Sequence, residues 1–175
     1  RRNADNALSL IDDLLELSRI HARTSPRVEV DVGDIVRSAA AMLGDDLERN
    51  GFEVVMPDHW PTLPCDRERL TQLFQNLIDN AVKYAGDVPS PTITMSWERT
   101  DAGYVFSVAD NGPGIPQDDL RRVFTVFRRG TKAPASEAAG KGVGLAAVKA
   151  IARAHGGDAW IESTPGAGCT FHVSI

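Results

Sequence analysis

The chain has 175 residues, 42% of them hydrophobic, and a formal net charge of −5 with acidic and basic residues interspersed. That is enough apolar material for one packed domain with at most a short appendage, and the charge pattern argues against nucleic acid as a partner. No apolar run reaches the roughly 18 residues that a membrane span needs, and no export signal is visible, so a cytoplasmic domain is expected. The first residue is Arg1 rather than methionine, which suggests a piece of something longer. The two cysteines, Cys65 and Cys169, lack CxxC spacing and read as free thiols. His21, His59, His155 and His172 show no metal-ligand spacing.

In chain order, residues 3–22 (NADNALSLIDDLLELSRIHA) predict a helix. Leu8, Ile11 and Leu15 form one stripe, and Leu10, Leu14 and Leu17 widen it, so this helix asks for a partner helix. After a break at TSPR, VEVDV (28–32) alternates as a strand does. Asp34 is expected to open a second helix, running to about Asn50 and closed by Gly51. Phe52–Met56 reads as a short strand, PDHWPTLP as a loop, and Asp66 as the cap of a helix reaching Tyr84. Strands are expected at 92–98 and 103–109, then a short helix over 118–127. Residues 129–144 (RGTKAPASEAAGKGVG) have no periodicity and read as a lid or binding loop. A helix over 145–155 stopped by Gly156-Gly157, and strands at 158–163 and 169–175, complete the chain. This order predicts an α+β fold, a mixed sheet with helices on one face.

Three segments carry chemistry. On the helix LTQLFQNLIDNAVKYA, Asn76 and Asn80 lie one turn apart on a face bordering the apolar stripe, with Lys83 three residues further on. The two carboxamides either satisfy loop backbone or offer an oxygen to Mg²⁺ beside phosphate oxygens. Gly140, Gly142 and Gly144 stand at alternate positions just before a helix, a pattern that lets amides and a helix N-terminus meet an anion. It is not a Walker loop, because Gly142 follows Lys141 where a hydroxyl residue is needed. GVGLAA matches a dinucleotide fingerprint, but no strand precedes it. In VADNGPGIP, Asp110 ends an apolar strand, and burying its carboxylate costs several kcal/mol unless it is hydrogen-bonded. An ordinary Asx-turn and a ligand donor such as an adenine amino group are both open, with Gly112 and Gly114 allowing close passage of a flat ring.

Together these segments resemble the ATP-binding catalytic domain of sensor histidine kinases, in the superfamily shared with gyrases, heat-shock chaperones and mismatch-repair ATPases. The resemblance runs from Val28 to Ile175. QNLIDNAVKYA resembles the asparagine box, and DNGPGIP, GKGVGLA and PGAGCTF the three glycine boxes. FTVFRRG resembles the phenylalanine box, in a version reminiscent of kinases with PAS or phytochrome-type sensors. The resemblance implies a two-layer α/β sandwich of the Bergerat type over 26–175. It also implies that residues 1–24 are the second helix of a dimerisation and phosphoacceptor hairpin.

It implies ATP and Mg²⁺ as cofactors, with Asn80 coordinating the metal, Asn76 near the γ-phosphate and Lys83 on phosphate; Asn76 and Lys83 are the expected catalytic residues. Tyr84 would flank the ribose or base, Asp110 would accept from the adenine amino group, and Gly112, Gly114 and Ile115 would line the pocket. Lys141, Gly142, Val143, Gly144 and Leu145 would close on the phosphates, and Thr170 would complete the adenine water network. A lid over 128–141 would bring Arg128, Arg129, Lys132 and Lys141. Cys169 stands where the family usually has Ser or Thr. No His followed by an acidic residue is present, so the expected acceptor is a histidine on an upstream helix. A response regulator and a second copy of the full-length protein are the other expected partners. Hydrolytic relatives carry Glu at the position of Asn76. The rival readings are a hydrolytic ATPase, which that Asn counts against, and a nucleotide-binding scaffold without catalysis, which the intact boxes count against.

Overall fold

The structure is a computed structural model and describes residues 26–125 and 143–175. The helix expected at 3–22, the lid at 128–141 with its cations, and Lys141 and Gly142 lie outside the described residues.

Strand β1 (Val28–Asp31) runs directly into helix α1 (Val32–Met42), and α2 (Gly44–Arg49) follows after a single residue. The one helix expected over 34–50 is therefore two, broken at Leu43-Gly44. It starts earlier because Asp31, not Asp34, is the cap: its Oδ1 accepts the Gly33 amide at 2.6 Å. The predicted stop at Gly51 holds, since its φ of 68° lets the Gly51 and Phe52 amides return to the carbonyls of Glu48 and Leu47. Then come β2 (Glu53–Val55), β3 (Thr62–Cys65) and α3 (Arg67–Tyr84), the last capped by Asp66 on the Arg69 amide at 3.1 Å. β3 begins inside the segment read as a loop and ends one residue beyond it. β4 (Thr92–Thr100) and β5 (Gly103–Asp110) form a hairpin, α4 covers only Gln117–Leu120, and α5 (Gly144–Ala154) leads into β6 (Ala159–Ser163) and β7 (Cys169–Ser174).

The main sheet has five strands in the order β2-β4-β5-β7-β6, with β2 parallel to β4 and every other pair antiparallel. β1 and β3 make a separate antiparallel ribbon. Register alternation gives the sheet two unlike faces. Ile93, Met95, Phe106, Val108, Phe171 and Val173 sit on one and are buried with the stripes of α1, α3 and α5 in a common core. Thr94, Ser96, Ser107, Thr170 and His172 sit on the other. Each Leu, Ile or Phe of the α3 stripe (Leu70, Leu73, Phe74, Leu77, Ile78) stabilises the fold by about 1.5–3 kcal/mol on burial. This is the α+β, mixed-sheet architecture that the element order predicts.

α3 packs between α1 and α5, and His155 secures its start. The ring Nε2 accepts the Asp66 amide at 3.2 Å while Nδ1 donates to the Ile151 carbonyl at 2.8 Å, so the proton is on Nδ1. Arg27, at the entry to the domain, donates to the Ala154 carbonyl at the end of α5.

Candidate functional site

Three chain segments converge on the C-terminal half of α3. The first is the end of β5. Asp110 is its last residue and lies on the core side of the sheet, in register with Ile93 on one side and Cys169 on the other. Its Oδ1 accepts the Gly112 amide at 2.9 Å, which is the Asx-turn geometry. Its Oδ2 accepts the Cys169 thiol at 2.8 Å. The turn and the ligand reading are compatible, since each carboxylate oxygen keeps a second lone pair. A Cβ at Gly112 would lie 2.8 Å from Asp110 Oδ1 and 3.4 Å from the Tyr84 carbonyl, so the glycine lets this loop close against the end of α3.

The second segment is the loop at 111–116 with the turn between β6 and β7. The Ile115 amide donates to Ser163 Oγ at 2.8 Å, Ser163 Oγ donates to the Gly168 carbonyl at 2.9 Å, and the Gly166 amide donates to the Pro113 carbonyl at 2.8 Å. Gly114 needs its positive φ of 69° and its missing side chain, because a Cβ there would be 2.3 Å from the Thr164 carbonyl oxygen. Asn111 ties the same loop to the start of β4, accepting the Thr92 amide and donating to the Ser90 carbonyl, each at 2.8 Å.

The third segment is the N-terminus of α5. α1 and α3 carry aspartate caps; α5 begins at Val143-Gly144 with no side-chain cap among the described residues and no acidic residue in its first turn. Its first amides are oriented for an anion, and the helix dipole adds to that preference. A Cβ at Gly144 would stand 3.2 Å from Asn76 Oδ1, which fixes how closely this terminus approaches α3. Leu145 follows Gly144 in the first turn.

On α3 itself Asn76, Asn80, Lys83 and Tyr84 are all half-buried. The Lys83 ammonium is held by Asp79 at 2.5 Å, one turn back, rather than extended away from the helix. Asn76, Asn80, Lys83 and Tyr84 thus lie on one helix, which the Asp110–Gly112 turn meets at Tyr84 and the α5 terminus meets at Asn76, while Gly114 and Ile115 are tied to the β6–β7 turn. Thr170 is the exception. It pairs with Ala109 on the opposite face of the sheet, and the residue that reaches Asp110 is Cys169. Side chains alternate across a strand, so a one-residue error in choosing the contact changes the face. Sequence reasoning also missed Ser163 and Asn111; a polar residue at the last position of a strand or beside a turn is the only signal either gives.

Burial, with the Asp110 carboxylate next to it, pushes the Cys169 thiol well above its ordinary range. Cys65 is also raised, chiefly by burial and then by the charge of Asp66. Both thiols therefore keep their protons in the folded state at pH values where the unfolded chain, with thiols near 8.5, gives them up. Their contribution to stability is complete below about pH 8.5 and lost as pH rises, by up to about 1.4 kcal/mol per unit for each thiol. Urea midpoints measured from pH 8 to 10 are expected to fall more steeply for this protein than for a Cys65→Ser, Cys169→Ser double variant.

Residues 65–175 match the family described as histidine kinase-, DNA gyrase B-, and HSP90-like ATPase. The chain is 40% identical over 159 residues to the methanogenesis regulatory histidine kinase FilI of Methanothrix harundinacea, a match covering 91% of this chain and 18% of that protein. It is 38% identical over 167 residues to the phytochrome-like protein Cph1 of Synechocystis, covering 95% of this chain and 22% of the relative. The chain thus spans about a fifth of the length of these relatives. Among solved structures, full-length ShkA in complex with AMPPNP aligns over 100% of this chain and 38% of its own, with a TM-score of 0.78 and 29% identity.

Proposed function

Since this chain belongs to the family of histidine kinase-, DNA gyrase B- and HSP90-like ATPases, of the sensor-kinase catalytic type its relatives share, we propose that it binds Mg·ATP around α3 and transfers the γ-phosphoryl group to a histidine on an upstream helix of the full-length protein. The bond from the γ-phosphorus to the bridging oxygen breaks, ADP leaves, and a phosphorus–nitrogen bond forms on the imidazole. A response regulator then takes the phosphoryl group, and the full-length protein acts as a cytoplasmic dimer through the hairpin to which residues 1–24 belong.

The observation that carries this reading is the pairing of an Asp110 acceptor at the C-terminal end of α3 with an α5 N-terminus that has no side-chain cap among the described residues and lies beside Asn76, two turns earlier on α3. Asp110 accepts the adenine amino group over the floor made by Gly112, Gly114 and Ile115, and Tyr84 flanks the ribose or base. Val143, Gly144 and Leu145, with Lys141 and Gly142 before them, hold the phosphates by backbone amides. Lys83 leaves Asp79 to meet phosphate. The chemistry of α3 suits magnesium: a carboxamide oxygen is a hard ligand, and Mg²⁺ takes few protein ligands when phosphate oxygens and waters supply the rest. Asn80 would be that ligand. The metal would neutralise charge on the transferred group, and positioning would supply most of the remaining rate. Asn76, having no basic carboxylate, does not activate water, which favours transfer over hydrolysis.

The test mixes this chain with Mg·ATP and a separate hairpin bearing the histidine. Acid-labile phosphate on the hairpin is the expected result. ATP binding without it would leave a nucleotide-binding module, and steady phosphate release without it would leave a hydrolase.

A further inference from the structure

Asp110 has two donors, and they are not equivalent. The Gly112 amide on Oδ1 comes from the backbone of the same turn, and any residue at position 110 able to accept would receive it. The donor on Oδ2 is a side chain from a different strand, the thiol of Cys169 directly across the ladder. Among the described residues no other polar side chain takes that place. Ser163 shares the face, but its hydroxyl is committed to Ile115 and Gly168. Thr170 is on the far side of the sheet, and Ile93, the other cross-strand neighbour of Asp110, is apolar. The last torsion of an aspartate is broad and soft, so a single bond to one oxygen leaves the carboxylate plane free to turn. Two donors on its two oxygens fix it.

We propose that Cys169 is the positioning residue that orients the Asp110 carboxylate, and that it thereby sets the preference for a purine bearing an exocyclic amino group over one bearing an oxo group. The proposal rests on the nucleotide reading above. With the plane held, a lone pair of Asp110 meets an amino donor in line and opposes an oxo oxygen, which is itself an acceptor. With the plane free, the donor gains less and the acceptor is repelled less, so the two bases become more alike.

The experiment measures the affinities of the purified chain for ATP and for inosine triphosphate, which differ at that ring position, and takes their ratio. Cys169→Ala is expected to lower the preference for ATP by about fivefold, the value of one modest hydrogen bond. Cys169→Ser, which restores a donor, is expected to recover most of it. A general loosening of the pocket would weaken both ligands together and leave the ratio unchanged, and that result overturns the proposal. So does a Ser variant as unselective as the Ala variant. If Ala at this site prevents folding, Cys169→Val fills the volume without a donor and carries the same comparison. A wild-type chain that binds neither triphosphate overturns the nucleotide reading and this proposal with it. Selective wild-type binding with selective Cys169→Ala overturns only the proposal.

Discussion

Replacing Asp110 with asparagine is expected to weaken ATP binding by one to two orders of magnitude, roughly the value of a hydrogen bond to a charged group, while leaving the protein folded. The carboxamide keeps the size and planarity of the side chain, and its oxygen can still accept the Gly112 amide that Oδ1 accepts now. What changes is the other position. The amide NH₂ would face the Cys169 thiol, where a carboxylate oxygen now accepts it, and would present a donor to any amino group entering the pocket. Two donors meeting there lose the attraction and add repulsion. Titration calorimetry with Mg·ATP measures the loss, and thermal melting checks the fold. Unchanged affinity would move the base-binding site away from the end of β5.

A pair of glycine substitutions in one turn should differ sharply in cost. Gly166 and Gly168 both have positive φ, 84° and 89°. Alanine at either pays the strain of that region, about 1–2 kcal/mol. At Gly166 nothing lies within 4 Å of the added carbon, so that strain is the whole effect. At Gly168 the carbon would fall 1.9 Å from the Asp110 carbonyl oxygen and 3.0 Å from Asn111 Cα, both backbone, so the strands must separate where β5 meets β7. The expected penalty for Gly168→Ala is about 4 kcal/mol or more, in the range of severe single substitutions. It should also disturb nucleotide binding, because the atoms displaced belong to the residue that carries the pocket acceptor. Urea unfolding of the two variants makes the comparison. Equal costs would mean that the turn yields freely at both positions.

What could be read from the sequence depended on whether the signal was local. α3 was legible because its apolar stripe, its Asp66 cap and its length agree, and Gly51 and Gly156 end helices by a conformation that glycine adopts freely. β3 was not, because Pro61 and Pro64 flank and interrupt a four-residue run. The strand exists because it pairs only with β1, so the ribbon has an outer edge where a proline without an amide is tolerated. The break at Leu43-Gly44 was hidden because the apolar period continues across it. In the sequence Asp31 reads as the outward position of an alternating strand, which hides its second role as the cap of α1.

At the candidate site the close approaches were legible in the glycines, since Gly112, Gly114 and Gly144 each stand where a side chain would press on a neighbouring segment. The second donor to Asp110 was not. Cys169 and Thr170 are adjacent, the hydroxyl is the more polar of the two, and only the strand register assigns them to faces. Among the described residues no helix is long and apolar enough to cross a membrane.

The bonds joining Ile115, Ser163 and Gly168, and Gly166 to Pro113, are made within the protein. On the proposed reading the base-binding end is therefore assembled before any ligand arrives, and the 111–116 loop and the β6–β7 turn would need no ordering when a ligand docks there. Ordering costs are among the larger debits of association. A rigid receiver returns most of its contact energy as affinity and gives little away as lost entropy. The same rigidity makes it blind to what lies at the other end of the molecule. On the proposed reading a nucleoside diphosphate and a triphosphate would present the same base to this turn, so telling substrate from product would fall to the α5 terminus and Asn76.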